Sequence, residues 1–441
     1  MSMTNAFEAG KLPLDLEDQA LIERRERLLG PSYRLFYDRP LHAVRGEGVW
    51  LYDSRGQAYL DVYNNVPGVG HCHPHVVAAL AKQAAILNTH TRYLHEGILD
   101  YAEALLATLP REIGHVLFTC TGSEANDLAY RIAEVHTGGT GFIVTRLAYH
   151  GGTKAIAALS PSLGTQLPLG ANVRVVDAPD GYRSDPSRVG ADFAAAVRSA
   201  IEDLRAHGIQ PAALLVDTIF SSDGVFADPP GFLAPAVGAI RAAGGLFIAD
   251  EVQAGFGRTG ERMWGFERHG LLPEIVTLGK PMGAGFPIAG VAVQPQVVRE
   301  FGRSRYFNTF GGNPVAAAVG IAVLEVIERE QLRDNASQVG HYLRRGLMRL
   351  AERHEIIGDI RGAGLYIGVE LVRDRAARTA APLETARVVN GLRERQVLIS
   401  SAGPNANILK VRPPLVFSID NADLFLDSLD QVLAAVAGSK S

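Results

Sequence analysis

Apolar and polar positions divide the chain into stretches of different period. Residues 16–29, LEDQALIERRERLL, repeat at helical spacing and predict a short amphipathic helix, with Arg24, Arg25 and Arg27 on its solvated face. GVWLYDSRGQAYLDV, residues 48–62, alternates instead about the turn-forming Asp53-Ser54-Arg55-Gly56 and predicts a hairpin. From about residue 75 the pattern changes again. Helical stretches such as HVVAALAKQAAIL and GILDYAEALLATL alternate with the apolar runs HVLFTC, GFIVT, VRVVD, ALLVD, GLFIAD and EIVTLG. Strands separated by helices predict an α/β fold, a mostly parallel sheet covered on both faces.

Past residue 315 the chain reads as a helix (VAAAVGIAVLEVIERE), two strands (GLYIGVEL and ILKVRPPLVF) and a closing helix (DLFLDSLDQVLAAV). These predict a smaller α+β unit that packs with the N-terminal hairpin. The expected division is 1–65 as an N-terminal segment, 66–315 as a large domain and 316–441 as a C-terminal small domain. There is no internal repeat and no low-complexity linker.

Ligands of such sheets bind just beyond the carboxyl ends of the strands. That places attention on Thr121-Gly122-Ser123, Asp217, Asp250 and Lys280, each of which follows an apolar run. The Gly122-Ser123 turn, with Ser123 as N-cap and Ala125, Leu128, Ala129 and Ile132 as the buried stripe of the helix, would offer free N–H groups to a phosphate. It could equally be an ordinary helix start. The acid pair Asp250-Glu251 could cap a helix or could hold a protonated ring nitrogen. Tyr149, followed by His150 and two glycines, could stack on a flat cofactor or belong to the core. Lys280, in TLGKPMGAGFP, is either a solvated charge or a desolvated amine able to form a Schiff base. A phosphate cup, a ring stacker, a carboxylate and an amine at one sheet edge are together the requirements of pyridoxal 5'-phosphate.

Composition narrows the field without changing that picture. The chain of 441 residues is 47% hydrophobic and 20% charged with a net charge of −4, a globular balance without the basic excess of a nucleic-acid binder. Cys72 and Cys120 are the only cysteines, so neither a disulfide framework nor a cysteine metal site is expected. No run is long enough to span a membrane, and the first residues lack a leader pattern, so a cytoplasmic location is expected.

GHCHP, GSEAND, YHG, ADEVQAGFGRTG, TLGKPMGAGFP and NTFGGNP occur in the order and approximate spacing of one family. Nearly the whole chain resembles a class III pyridoxal-phosphate-dependent aminotransferase of fold type I. The resemblance implies a large domain with a seven-stranded, mostly parallel sheet and a homodimer with shared active sites. It implies that Lys280 joins the cofactor aldehyde and moves the substrate proton, that Asp250 pairs with the ring nitrogen and that Gln253 approaches the phenolic oxygen. Gly122 and Ser123 would hold the phosphate, Tyr149 would stack on the ring with His150 behind it, and Thr309 would reach the partner subunit's cofactor. Many relatives carry Glu-Pro where this chain has Asp217-Thr218, and a relative's arginine falls on Lys410, with Arg412 displaced by two positions. Asp217 and Lys410 are expected to form a shortened gate for a substrate carboxylate, with Arg412 pointing elsewhere.

The implied activity is transfer of an amino group between an ω-amino acid or amine and a keto acid. The alternative is a phospho-lyase that eliminates phosphate from O-phosphoethanolamine or a related amino-phosphate, with Arg92 and Lys410 as cations for the phosphate. The implied partners are these small molecules and a second copy of the chain, with no nucleic acid, membrane or metal.

Overall fold

The computed structural model describes residues 5–438, so the first four and last three residues of the expected terminal units lie outside the described residues. Its centre is a seven-stranded sheet ordered His115–Thr119, Ala289–Val293, Ile275–Leu278, Leu246–Asp250, Pro211–Asp217, Gly141–Thr145 and Val173–Val176. All neighbours are parallel except Ala289–Val293, which runs antiparallel to both of its partners. The short loop carrying Lys280 explains the exception. It turns the chain straight back beside the strand it leaves, which only an antiparallel neighbour allows.

The central strands are buried at every residue of Leu246–Asp250, because helices cover both faces. Alternation sorts the side chains. Ala213, Leu215 and Ile248 pack with Ala125, Leu128 and Ala129 of the helix Gly122–Thr137. Leu214, Val216, Phe247 and Ala249 pack instead with the layer holding the helices Val189–Ala206 and Ala234–Ala242. Each fully buried aliphatic side chain of this kind contributes about 1.5–3 kcal/mol.

The predicted hairpin forms as Trp50–Asp53 against Ala58–Asp61, and Asp53 Oδ1 accepts the turn N–H groups of Arg55 and Gln57. A further strand, Ala43–Glu47, adds to one side and Val397–Leu398 to the other, so the N-terminal segment and the C-terminal unit share a sheet. A second C-terminal sheet holds Ile357–Ala363, Tyr366–Asp374, Ile408–Val411 and Ser400–Ala402, with Thr379–Ala380 paired to its second strand. The apolar run ILKVRPPLVF stops being a strand at Val411, since Pro413 and Pro414 have no N–H to give. Arg412 N–H then bonds Val62 O at 2.9 Å and ties this strand end to the N-terminal hairpin.

The amphipathic helix is Leu16–Leu29, capped by Asp15, whose carboxylate accepts Asp18 N–H at 2.9 Å. The longest helix, Leu332–Arg353, was not among the sequence-predicted elements.

Candidate active site

Five segments, each following a strand of the sheet, meet beyond its carboxyl ends and line a cavity of about 120 Å³. Gly122, Ser123, Tyr149, His150, Asp217, Asp250, Gln253 and Lys280 all line it, so eight sequence-predicted positions come together in one place.

The helix Gly122–Thr137 starts one residue earlier than its predicted cap. Thr121, not Ser123, is the N-cap: its Oγ1 accepts Glu124 N–H at 3.1 Å while Glu124 accepts the N–H of Thr121 at 2.9 Å. A Thr-x-x-Glu capping box satisfies two orphan donors reciprocally and outcompetes Ser123 for the position. The correction leaves Gly122 and Ser123 as the first two helical residues, whose N–H groups have no intrahelical acceptor and carry the positive end of the helix dipole. Ser123 Oγ accepts Gly152 N–H at 3.0 Å. Gly151, at φ +143°, lies so close that a Cβ there would sit 2.5 Å from Ser123 Oγ.

Asp250 ends the central strand and is 4% exposed. His150 Nδ1 lies 2.7 Å from its Oδ2, Asn126 Nδ2 donates to the same oxygen at 3.0 Å, and Val252 N–H donates to Oδ1 at 3.1 Å. Burial alone would raise this carboxyl, but His150, with the Val252 N–H and the charge of Lys280, outweighs it and holds Asp250 below the usual carboxylate range. Asp250 is thus an anion, and His150 donates to it through Nδ1–H. His150 Nε2 and Asn126 Oδ1 have no partner within the protein. Glu251, the other half of the acid pair, turns away. It accepts Thr218 Oγ1 at 2.7 Å and the N–H groups of Gly265 and Phe266, and burial pushes it up to about 7.

Lys280 begins a turn of 3-10 helix, Lys280–Gly283, straight after the strand Ile275–Leu278. Burial lowers its pKa first and Arg412 lowers it further, against the opposing pull of Asp250 and Asp217. The amine is therefore more available as a nucleophile than a solvated lysine.

Asp217 pairs in register with Asp250 across two parallel strands. The expected gate does not form. Asp217 accepts the N–H groups of Ile219 and Ser221 and the Ser221 hydroxyl, and its described ion pairs include none with Lys410. Lys410 faces Arg412, Asp217, Lys280 and Asp223, and burial together with Arg412 drives its pKa well below the ordinary lysine value. Arg412, expected to point elsewhere, points at the site: its Nη1 donates to Gln253 Oε1 at 2.6 Å and to Asn65 Oδ1 at 3.0 Å. The guanidinium is thus held by two carboxamides and makes no described contact with Asp217, the acid of the expected gate.

Thr309 and Arg92 lie outside this cavity. Thr309 is exposed, and the Arg92 guanidinium sits 3.8 Å from the Phe307 ring centre on the same exposed face. Among residues the sequence reading missed, Asn126 and Ser221 matter most. Asn126 lies one helical turn after Gly122, on the face turned to the strand ends, and Ser221 follows Asp217 by four residues. Both signals are weak in isolation.

A cup of free N–H groups, a fixed carboxylate paired with imidazole, an exposed aromatic and a depressed amine in one cavity fit a phosphorylated pyridine aldehyde. The family model for class-III aminotransferases matches residues 36–433. The chain belongs to the class III aminotransferases. Members of this class are pyridoxal-phosphate-dependent, as the cavity chemistry requires. The chain is 40% identical over 416 residues, 93% of its length and 86% of the relative's, to an Arabidopsis thaliana mitochondrial alanine–glyoxylate aminotransferase 2 homolog. It is 37% identical to an ethanolamine-phosphate phospho-lyase homolog of Caenorhabditis elegans, over 94% of this chain and 93% of that one. Among solved structures it superposes with a TM-score of 0.91 on a phospholyase from Arthrobacter in complex with phosphoethanolamine, at 44% identity and covering 94% and 99% of the two chains.

Proposed function

We propose that this class III aminotransferase moves an amino group between an ω-amino acid or amine and a keto acid. The observation that carries the reading is one cavity in which the depressed amine of Lys280 faces the His150-paired carboxylate of Asp250. When bound, pyridoxal phosphate supplies an electron-withdrawing ring that stabilises the electron pair left at the substrate carbon. The protein does the rest. Gly122 and Ser123 N–H groups would hold the phosphate, and Asp250, held ionised with the help of His150, would keep the ring nitrogen protonated. Tyr149, which lines the cavity, would cover the ring and limit water. The Lys280 amine takes the proton from the substrate Cα and returns it.

A second reading is favoured by a specific observation. Lys410 and Arg412 are both buried beside Lys280, and the hydrogen bonds of Arg412 go to neutral carboxamides. A buried guanidinium without a carboxylate partner, with the Lys410 amine beside it, suits an anionic substrate group, as a phospho-lyase acting on phosphoethanolamine would need. One experiment separates the two. An amine donor supplied without acceptor converts the cofactor to its aminated form if the transferase reading holds. Phosphate released from phosphoethanolamine without acceptor supports the lyase instead.

The working unit in this proposal is a homodimer. Tyr93, Leu94 and Phe310 are exposed large apolar residues on the face that carries Arg92 and Thr309, an arrangement suited to a second copy. Thr309, and Arg92 as a cation for substrate, would then serve the neighbouring site. The free Cys72 and Cys120 suit a reducing compartment, and cytoplasmic residence is part of the same proposal.

A further inference from the structure

Four side chains, Arg412, Gln253, Ser221 and Asp217, form a hydrogen-bonded file whose polarity is fixed at both ends, because a guanidinium only donates and a carboxylate only accepts. Arg412 Nη1 donates to Gln253 Oε1 at 2.6 Å, and the Tyr366 hydroxyl donates to the same oxygen at 3.2 Å. Gln253 must therefore turn its Nε2 the other way, where it donates to Ser221 Oγ at 2.6 Å. The Ser221 hydroxyl in turn donates to Asp217 Oδ2. Asn65 and the Tyr63 ring, centred 4.3 Å from the guanidinium carbon, hold the rest of Arg412, yet its Nε has no partner.

Ser221 has no exposed surface, so it cannot meet substrate. Its position in the file gives it another task. Without its hydroxyl the Gln253 carboxamide loses the acceptor for Nε2 and is free to rotate. Rotation would set an NH₂ group against the guanidinium, and Arg412 would be displaced.

We propose that Ser221 is a positioning residue that fixes the Gln253 carboxamide and, through it, holds Arg412 as a standing group for the oxyanion of the substrate. The proposal rests on the reading that the Lys280 cavity handles an amine substrate. It adds that the substrate's far end is anionic, a carboxylate or a phosphomonoester. It also explains why Asp217 leaves Lys410 unpaired: its oxygens are occupied at the end of the file.

The test is calorimetric titration of cofactor-saturated protein with inorganic phosphate and, separately, with acetate. Wild type, Ser221→Ala and Ser221→Thr are compared, with the visible cofactor band as a check on loading. Wild type should bind at least one anion, and the preferred one distinguishes a phosphomonoester from a carboxylate. Ser221→Ala should weaken that binding about tenfold, the scale of one hydrogen bond to a charged group, with cofactor loading maintained. Ser221→Thr keeps the hydroxyl and should restore binding to near the wild-type value. The proposal is overturned if wild type binds neither anion, if Ser221→Ala binds as wild type does, or if Ser221→Thr is as weak as Ser221→Ala. A wild type that takes up no cofactor would instead overturn the amine-chemistry reading.

Discussion

His150 Nδ1 and Asp250 Oδ2 lie 2.7 Å apart in a buried pair at the end of the central strand. The contact sets the charge state of the carboxylate on which the ring nitrogen depends. Replacing His150 with Phe should let the Asp250 carboxyl rise, since burial is then opposed only by the Asn126 and Val252 hydrogen bonds and the charge of Lys280. A hydrogen bond to a charged group contributes about 1.5–3 kcal/mol, so turnover should fall roughly tenfold or more. Asn126→Ala should cost less, because the imidazole remains. Steady-state kinetics of both variants check the order, and an Asn126→Ala defect larger than that of His150→Phe would go against it.

Lys280→Ala should leave the fold intact and abolish turnover. The lost acid–base step alone contributes roughly 10²–10⁴-fold. Removing a buried amine creates no unpaired charge, so the far-ultraviolet circular dichroism and Tm should match wild type. Appreciable turnover in this variant would refute the assignment.

The pH dependence of cofactor capture follows from the lowered Lys280 pKa. A lysine whose folded pKa is depressed is neutral over a pH range where a solvated lysine is still charged, so capture should reach half its maximum below the ordinary lysine pKa. Arg412 contributes to that depression as a neighbouring cation. Arg412→Met should therefore move the midpoint upward, and Asp217→Asn should move it downward. Stopped-flow association rates across pH read both shifts, and an unchanged midpoint in Arg412→Met would contradict the electrostatic coupling.

Gly151→Ala tests the phosphate cup. A Cβ at this residue would meet Ser123 Cα at 2.7 Å and its Oγ at 2.5 Å, on a backbone with φ +143°. Strain of that kind costs on the order of 1–3 kcal/mol. Tm should fall, and cofactor affinity should fall with it because Ser123 is pushed out of place. Gly152→Ala, which meets nothing within 4 Å, is the control.

Much of this was legible in the sequence because strand ends in a parallel sheet are predetermined binding positions. Asp217, Asp250 and Lys280 each follow an apolar run, and the fold had only to align those runs. The cap was misassigned because Thr121 and Ser123 are both good capping residues, and Glu124, three residues after Thr121, decides between them. Arg412 was misread because it follows the strand that ends at Val411, and only the folded placement of Gln253 and Asn65 shows where its guanidinium goes. The helix Leu332–Arg353 carries Leu332, Ala336, Val339, Leu343, Leu347 and Leu350 as a buried stripe at helical spacing, a readable signal that its many charged residues dilute. The hydrogen-bonded file through Ser221 was not readable, since it joins residues 65, 217, 221, 253, 366 and 412 only in three dimensions.

The central claim is that Lys280 is the amine to which the cofactor attaches. Lys410, buried beside it with a pKa also lowered by burial, is the competing amine on the same chain. Borohydride reduction of the cofactor-loaded protein, followed by peptide mass mapping, decides between them. The account predicts the reduced cofactor mass on the peptide containing Lys280 and none on the peptide containing Lys410. A label on Lys410, on any other lysine, or nowhere would contradict it.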